Sequence, residues 1–401
     1  MKMQLEKDSI QGSVNREADF AFRRKFLAAL VASAGSAVLA ACGGGGDGGV
    51  ADSVADRQRR RGGSTGASGS TAASSPAASA PATSTPASTP SSTNNSSSGS
   101  TAGVLTDTSF GVKGDGKTND RAALQAAIDG SVGQILLITG QCRIDTKGLD
   151  LRNKSHIRFA PGASIKLLPY NTDNYEMIRA WDVDGAIIEN AYLDGSKELN
   201  STKTGELGMG ISICGATNLT LESPTTINCW GDGIYIDGSF LGGTSWAKNI
   251  TINNHHAVGC RRQGMSVISV SGLTLNSPIW ESIGGTAPGA GLDIEPYNNI
   301  GVLENITINS PTTKNCAGPG IQIWLSDFAG NVKKTMIVNI TNHVDTGSKV
   351  CAYSVQSLPN GSNVTGSITS TNPVWGRPLA QAYYHANWDP AGPKCTVVNP
   401  K

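Results

Sequence analysis

The residues best suited to chemistry in this 401-residue chain are acids spaced to share one face of a strand. Asp293 and Glu295 are two residues apart, and Asp237 ends a similar alternating run that begins near Asp232. Residues i and i+2 of a strand share a face and lie roughly 6.7 Å apart. Carboxyl groups so placed can supply a general acid and a general base. We therefore predict catalytic carboxylates at Asp232, Asp237, Asp293 and Glu295.

Cationic and aromatic residues accompany these acids in the sequence. A guanidinium group binds carboxylates and other oxygen acceptors through a planar fork of donors, and aromatic rings can stack on sugar faces. A surface that combines acids, arginines and aromatic rings is typical of a groove for a polysaccharide. The predicted substrate-binding residues are Arg261, Arg262, Tyr235, Trp230, Trp324 and Glu206.

A repeated tripeptide, Asn-(Leu/Ile/Val)-Thr, indicates the elements that must position these residues. Its copies are 23 to 34 residues apart, a spacing typical of stacked structural repeats. The apolar residues of the series are Leu219, Ile250, Leu273, Ile306, Ile340 and Val364, of which Leu273 follows Gly instead of Asn. A second strand signal, Gly followed by alternating apolar and polar residues, is centred on Ile234, Met265, Leu292 and Ile321. Each repeat thus carries at least two short strands, which predicts an all-β solenoid of parallel strands.

Stacking such coils would arrange the polar residues in columns. Successive coils lie roughly 4.8 Å apart, so equivalent residues meet across neighbouring strands. One predicted outward column is Tyr235, Ser266, Asp293 and Gln322, and the next is Asp237, Ile268, Glu295 and Trp324. Because inverting glycosidases hold two carboxyl groups roughly 6.5 to 9.5 Å apart, the Asp293 and Glu295 spacing fits a hydrolase.

Composition divides the chain into three segments. Residues 1–42 resemble an export signal, residues 43–103 are mostly Ser, Thr, Ala, Pro and Gly, and residues 104–401 carry the repeats. The middle segment has too few apolar residues to form a core, so we predict a disordered tether. Residues 104–401 are predicted to form one β-helix domain.

The signal combines paired arginines, Arg23 and Arg24, with a short apolar run that ends at Cys42. The arginine pair resembles a twin-arginine export signal, and the small residues before Cys42 resemble a bacterial lipoprotein cleavage box. We predict lipidation of Cys42, with an ordinary cleaved signal as the alternative. The protein is then expected in the cell envelope, anchored to a bacterial membrane, or secreted.

Charge and cysteine usage narrow the partners. The formal net charge is only +1, so a nucleic-acid partner is not expected.

Cys229, Cys260 and Cys316 share one position of the repeat and predict a buried stack, although Cys229 and Cys260 could form a disulfide. Cys351 and Cys395 could staple the C-terminal segment. We expect His255 and His256, at a turn, to be exposed to solvent.

The opening of the repeat region carries a family resemblance. Residues 110–120 read FGVKGDGKTND and precede a predicted helix over 121–129, capped by Asn119 or Asp120. This opening resembles the pectate-lyase-like superfamily of right-handed parallel β-helix proteins, which includes polygalacturonases, rhamnogalacturonases and alginate epimerases. The resemblance covers about residues 104–345 and implies that the helix plugs the N-terminal end of the solenoid.

The family's catalytic motifs transfer poorly to this chain. The paired aspartates of polygalacturonases fall on Gly231-Asp232, their histidine on Gln263, and their Arg-Ile-Lys on Asp293-Ile294-Glu295. Only Asp232 matches. The positions of the epimerase motifs lack the tyrosine and both histidines of that family, so neither mechanism carries over intact.

Three functions fit these patterns. The first is a polysaccharide hydrolase that uses carboxylates and needs no cofactor. The second is a polyuronide lyase, in which the acids would bind Ca²⁺ while an arginine abstracts a proton. The third is a surface solenoid that binds glycan without cleaving it. The expected partners are a polysaccharide and, through the lipid anchor, a membrane; the sequence sets no oligomeric state.

Overall fold

The protein is described by a computed structural model over residues 103–239 and 245–401. Within these ranges the chain forms a solenoid of about ten coils, built from three parallel sheets of 11, 9 and 9 strands. The prediction of an all-β parallel solenoid is confirmed. The predicted signal and nearly all of the predicted tether lie outside the described residues.

Sheet A contains the Asn-x-Thr strands. Its members, in order across the sheet, are β1 (Val104–Thr106), β3 (Ile135–Ile138), β6 (His156–Phe159), β9 (Ile187–Glu189), β12 (Thr217–Glu222), β15 (Ala247–Asn253), β18 (Val270–Asn276), β21 (Leu303–Asn309), β24 (Lys334–Thr341), β27 (Val364–Thr371) and β29 (Lys394–Val398).

Sheet B is built from short strands, mostly of three or four residues. They are β2 (Asp115–Asn119), β4 (Gln141–Ile144), β7 (Ser164–Leu167), β10 (Tyr192–Asp194), β13 (Thr225–Ile227), β16 (His256–Val258), β19 (Ile279–Glu281), β22 (Thr312–Lys314) and β25 (Val344–Thr346).

Sheet C carries the second strand signal of the repeat. Its members are β5 (Leu149–Asp150), β8 (Asn174–Trp181), β11 (Leu207–Cys214), β14 (Asp232–Asp237), β17 (Gln263–Val267), β20 (Leu292–Ile294), β23 (Ile321–Trp324), β26 (Tyr353–Leu358) and β28 (Tyr383–Trp388). Two α-helices, α1 (Arg121–Gly130) and α2 (Leu379–Ala382), and three short 3₁₀ helices (Asp107–Phe110, Lys197–Leu199 and Ser326–Phe328) complete the described elements.

The core forms because alternate residues of each strand point inward and meet their equivalents one coil away. In sheet A, Leu219 pairs with Ile250 and Ile250 with Leu273, and all three are at most 1% exposed. Burying apolar area in this way contributes about 25 cal/mol per Å².

The repeat assignment in sheet A needs one correction. Ile306 pairs with Val338, and Val338 pairs with Ile368. The tripeptide had suggested Ile340 and Val364 for these two positions. A shift of two or four residues keeps a side chain on the same face of a strand, so the apolar pattern does not distinguish these registers.

Two ladders of asparagine side chains run along sheet A. Asn218 and Asn249 adopt φ values of 53° and 54°, a left-handed conformation that asparagine tolerates, and their amides are joined at 3.1 Å. At the other end of the strands, Asn309 donates to Asn276 at 2.8 Å and Asn276 donates to Asn253 at 2.7 Å. Each amide thus bonds its own equivalent in the previous coil.

A glycine column marks the start of the strands of sheet C. Its members are Gly210, Gly233, Gly264, Gly291 and Gly320. A Cβ atom at any of them would lie 2.5 to 2.6 Å from the backbone carbonyl oxygen at the equivalent position of the next coil. At these five positions the corner between sheets B and C is therefore too tight for a side chain, whereas Ala352 takes the equivalent position on the following coil.

Helix α1 buries Leu124, Ala127 and Ile128. The Asp120 side chain does not cap it; its carboxylate accepts hydrogen bonds from the backbone N–H groups of Lys113 at 2.8 Å and Gly114 at 3.0 Å. The role of helix α1 as the plug at the N-terminal end of the solenoid stays a prediction. None of the helices in the described ranges has the length and apolarity needed to cross a bilayer.

The cysteine and histidine predictions are partly wrong. Cys229, Cys260 and Cys316 are buried as expected, but all seven cysteines of the described residues are free thiols, so neither suggested disulfide forms. His255 is fully buried, with Nε2 2.9 Å from Thr226 Oγ1, because it turns into the coil interior. Burial lowers the pKa of His255 to about 3, so this histidine is neutral at physiological pH. His256 is partly exposed.

The glycine column yields a stability prediction. In Gly291→Ala the new methyl group would meet the Gly320 carbonyl oxygen at 2.6 Å, and it would also lie 2.9 Å from Thr313 Cγ2 and 3.2 Å from Trp280 Cβ, so three neighbours would have to shift. We expect the free energy of unfolding to fall by about 3 kcal/mol or more in urea titrations.

The matched control is Gly301→Ala, where a Cβ atom would approach no closer than 3.4 Å, to Ser269 Oγ. Both substitutions change the unfolded chain alike. Equal stabilities of the two variants would show that the corner tolerates a side chain.

Candidate functional site

Sheet C assembles the polar columns expected from the sequence. Tyr235 pairs with Ser266, Ser266 with Asp293, and Asp293 with Gln322. The pairing continues to Ser354 on the following coil. The predicted register of these four coils is therefore observed.

The columns are more buried than expected. Tyr235, Ser266, Asp293 and Gln322 are only 1 to 4% exposed, whereas solvated side chains were anticipated. Glu295 is half-buried. Charges in such a place interact more strongly than in water, because the effective dielectric constant is lower.

Asp293 and Glu295 form a carboxyl pair. Burial raises the pKa of Asp293 well above its ordinary value, and the charge and hydrogen bond of Glu295 raise it further. Gln263 Nε2 and Gln322 Nε2 donate to the two oxygens of Asp293, the latter at 3.1 Å. A hydrogen bond joins the two carboxyl groups. The predicted separation of roughly 6.7 Å therefore describes the spacing of the two backbone positions and not that of the carboxyl groups.

Asp232 and Arg262 form a bidentate ion pair. Arg262 Nε donates to Asp232 Oδ1 at 2.7 Å, Nη2 donates to Oδ2, and Ser266 Oγ donates to the same carboxylate at 2.9 Å. Burial opposes the charge of Arg262, but the Asp232 carboxylate outweighs it and raises the pKa of the guanidinium. Glu206 lies 3.9 Å from Arg262 and adds a second, weaker ion pair. Asp232 is fully buried, and both of its oxygens accept hydrogen bonds from these donors.

Asp237 accepts hydrogen bonds from two tyrosines. Tyr235 Oη donates to Asp237 Oδ2 at 2.9 Å, Tyr297 Oη donates to the same oxygen, and the Gly238 N–H donates to Oδ1 at 2.6 Å. Burial, reinforced by the Asp237 charge, raises the pKa of Tyr297 well above its ordinary value. Sequence reasoning missed Tyr297, although its position two residues after Glu295 was a usable signal.

The aromatic residues border these acids through their own contacts. The Arg261 guanidinium lies 4.4 Å from the centre of the Trp230 ring, and Arg261 Nη1 donates to the Gly205 carbonyl at 2.5 Å. Trp324 Nε1 donates to Ser326 Oγ at 3.1 Å. Arg261 and Trp230 thus form a cation–π pair.

The predicted site residues fall into groups joined by contacts. One continuous network runs from Glu206 through Arg262, Asp232, Ser266 and Gln263 to Asp293. The Asp237 cluster and the Arg261–Trp230 pair adjoin this network along sheet C and its preceding turns. In residues 103–239 and 245–401 no group of three or more His, Cys, Asp or Glu side chains is arranged to hold a metal ion.

Comparison with known proteins identifies the fold. No protein-family profile matches the chain. The chain is 23% identical to the uncharacterized protein YclG of Bacillus subtilis over 261 residues. This aligned region is 58% of this chain and 43% of YclG.

Two solved structures have similar folds. The bacteriophage phi29 gene product 12 superposes with a TM-score of 0.55 and 18% identity, over 67% of this chain and 37% of that protein. The tailspike protein gp49 of Acinetobacter baumannii bacteriophage Fri1, a capsular polysaccharide depolymerase, superposes with a TM-score of 0.53 and 14% identity. The match covers 74% of this chain and 57% of the tailspike protein.

In all three comparisons the match covers less than two thirds of the other protein. The two structural likenesses show a parallel β-helix, as the resemblance to the pectate-lyase-like superfamily implies.

The carboxyl pair predicts a pH dependence of stability. The pKa of Asp293 is raised above the ordinary 3.8 in the fold, so unfolding releases its proton once the pH exceeds about 4. Asp293 should therefore lower the free energy of unfolding progressively from there to its folded pKa. Asp293→Asn should remove this decline. The free energy of unfolding of the variant minus that of the parent should therefore be larger at pH about 8 than at pH about 4. Urea titrations at both values test it.

Glu198→Gln, at an exposed position of the 3₁₀ helix Lys197–Leu199, provides the control for removing one acid elsewhere. An Asp293→Asn variant whose stability falls relative to the parent as the pH rises would mean that Asp293 is a stabilised carboxylate.

Proposed function

We propose that the protein is a polysaccharide hydrolase whose general acid is the Asp293–Glu295 pair. The observation that carries the proposal is the raised pKa of buried Asp293 beside a second carboxyl group. A general acid must hold its proton near the working pH, and such an environment keeps one on the pair.

Asp237 is the second carboxylate in this proposal. It occupies the same column as Glu295, with the Ile268 coil between them. Two coil steps separate the backbones by roughly 9.6 Å, and the two side chains would lean toward each other so that their carboxyl groups come closer than that. Inverting glycosidases hold their acid and base roughly 6.5 to 9.5 Å apart, with room for the attacking water. Asp293 or Glu295 would then protonate the leaving oxygen while Asp237 takes a proton from water.

Tyr235 and Tyr297 act as positioning residues in this scheme. Their hydroxyl groups both reach one oxygen of Asp237, while the Gly238 N–H holds the other oxygen. Three donors from separate backbone positions fix the orientation of the carboxylate. A water molecule bound to Asp237 would then face the acid pair along the column.

The remaining predicted residues would hold the glycan. Trp324 lies in register with the position of Glu295, and the Arg261–Trp230 pair lies before β14. Both tryptophans are 7% exposed, so each would meet the glycan with the edge of its ring. The mutual pairing of Asp232 and Arg262 suits a role in positioning Ser266 and Gln263. A glycan substrate is also supported by the shared fold of the phage capsular polysaccharide depolymerase.

The activity prediction concerns the acid pair. Asp293→Asn and Glu295→Gln should each reduce turnover about 10²- to 10⁴-fold, because each removes a group that shares the catalytic proton. Release of reducing ends from a panel of polysaccharides measures the turnover. The control Glu281→Gln removes an acid from β19 of sheet B and should retain full turnover.

The same panel separates the hydrolase from the two alternatives. A lyase would produce unsaturated ends that absorb in the ultraviolet and, where Ca²⁺ is its cofactor, would stop in chelator. A glycan-binding solenoid would bind a polymer without either product. Full turnover of both acid variants would remove Asp293 and Glu295 from the catalytic site.

We also propose that the protein is exported and anchored through Cys42, because a small-residue box precedes this cysteine and a polar tether follows it. Replacing Cys42 with Ser should move the protein from the membrane fraction to the soluble fraction or block its maturation, since the lipid could no longer be attached. Immunoblots of fractionated cells measure this distribution. A Ser variant that sediments with membranes as the parent does would exclude lipidation there.

A further inference from the structure

Two buried amide oxygens on sheet C lack hydrogen-bond donors. In the described part of the chain, Gln322 Oε1 and Gln356 Oε1 are the only buried side-chain amide oxygens without a partner. Their residues are 2% and 3% exposed. Folded proteins seldom leave a buried acceptor unsatisfied, and an exception at a functional site indicates a missing donor.

The two glutamines lie on neighbouring coils beside the acid pair. Gln322 pairs with Ser354, and Trp324 pairs with Gln356, so the two amides are offset by two residues and by one coil. This offset separates their backbones by roughly 8 Å. Gln322 Nε2 donates to Asp293 at 3.1 Å and Gln356 Nε2 donates to Ser354 Oγ at 2.8 Å. Both amides are thus held by their nitrogen atoms, which leaves the oxygens for a ligand.

The charge of this region selects the kind of donor. Strands β20, β23 and β26 contain no Lys or Arg, while Asp293 and Glu295 add acidic groups. Arg262, the cation that acts on Asp293, is paired with Asp232. A carboxylate ligand would meet acceptor oxygens and acids here, whereas a hydroxyl group would donate to the free amide oxygens.

We propose that Gln322, Ser354 and Gln356 form a subsite for a neutral sugar residue. The sugar donates hydroxyl hydrogens to the two amide oxygens, and its ring lies beside the small exposed part of Trp324, which is 7% exposed. This inference rests on the proposed action on glycans and narrows it, because it selects uncharged polysaccharides over polyuronides.

The test measures binding by Gln322→Met and Gln356→Met, which keep side-chain length and remove the amide, that is, the free acceptor oxygen together with the Nε2 donor. The probes are oligosaccharides of neutral glucan, mannan, galactan and xylan, and oligouronates from polygalacturonate and alginate. Calorimetry with the full chain should show binding of at least one neutral probe and at least about tenfold weaker binding of both oligouronates. Each Met variant should weaken the neutral probe about three- to tenfold, the range of one neutral hydrogen bond.

The control is Gln381→Met, at an exposed position of α2, which should bind as the parent does. The melting temperatures of the Gln322 and Gln356 variants should change little, because each loses an unsatisfied buried oxygen together with one hydrogen bond from its amide nitrogen. Lower melting temperatures with unchanged affinity would mean a purely structural role.

Three outcomes overturn the subsite: no binding of any neutral probe, tighter binding of an oligouronate, or unchanged affinity in both Met variants. These differ from failure of the hydrolase. Binding of a neutral probe that depends on Gln322 and Gln356, without release of reducing ends, would support the subsite and contradict the proposed hydrolase activity. Hydrolysis of a polyuronide that the Met substitutions leave unchanged would support the proposed hydrolase activity and contradict the subsite.

Discussion

The spacing between hydrogen-bonded strands, roughly 4.8 Å, governs the rest of this structure. Each residue has its own equivalent as a neighbour on the adjacent coils, so its environment is repeated above and below. Glycine at Gly233 is required because the next coil's Gly264 carbonyl is too close for a side chain. The same spacing brings Asp293 between Gln263 and Gln322, whose amides both reach its oxygens.

Acids in a stacked column need compensation, and sheet C provides it in three ways. Asp232 is neutralised by the bidentate guanidinium of Arg262. Asp237 is surrounded by hydroxyl and N–H donors. Asp293 keeps its proton because burial and Glu295 both disfavour its charge. Only the third solution leaves a transferable proton, which explains why the proposed acid is found there and not at the other two acids.

The register of sheet C could be predicted from the sequence, whereas that of sheet A could only partly be predicted. A glycine before Ile234, Met265, Leu292 and Ile321 marks a fixed corner of the coil, so the strands align on it. In sheet A the tripeptide at Asn339 lies two residues from the aligned position, and the alternating pattern permits this slip. Burial of the polar columns could not be predicted, because alternation identifies the two faces of a strand and not whether the outer face meets water. The contact between Asp293 and Glu295 depends on side-chain torsions that strand geometry leaves open.

The asparagine ladder of sheet A has a consequence for how such a protein can change length. Asn309 donates to Asn276 and Asn276 donates to Asn253, so the two joints of this series are chemically the same, whereas Glu222 and Thr341 bond its two ends. Duplicating or deleting one whole coil would rejoin matching partners, whereas a change by part of a coil would set unlike residues against each other. Evolutionary changes in the length of this part of the solenoid are therefore expected to add or remove whole coils.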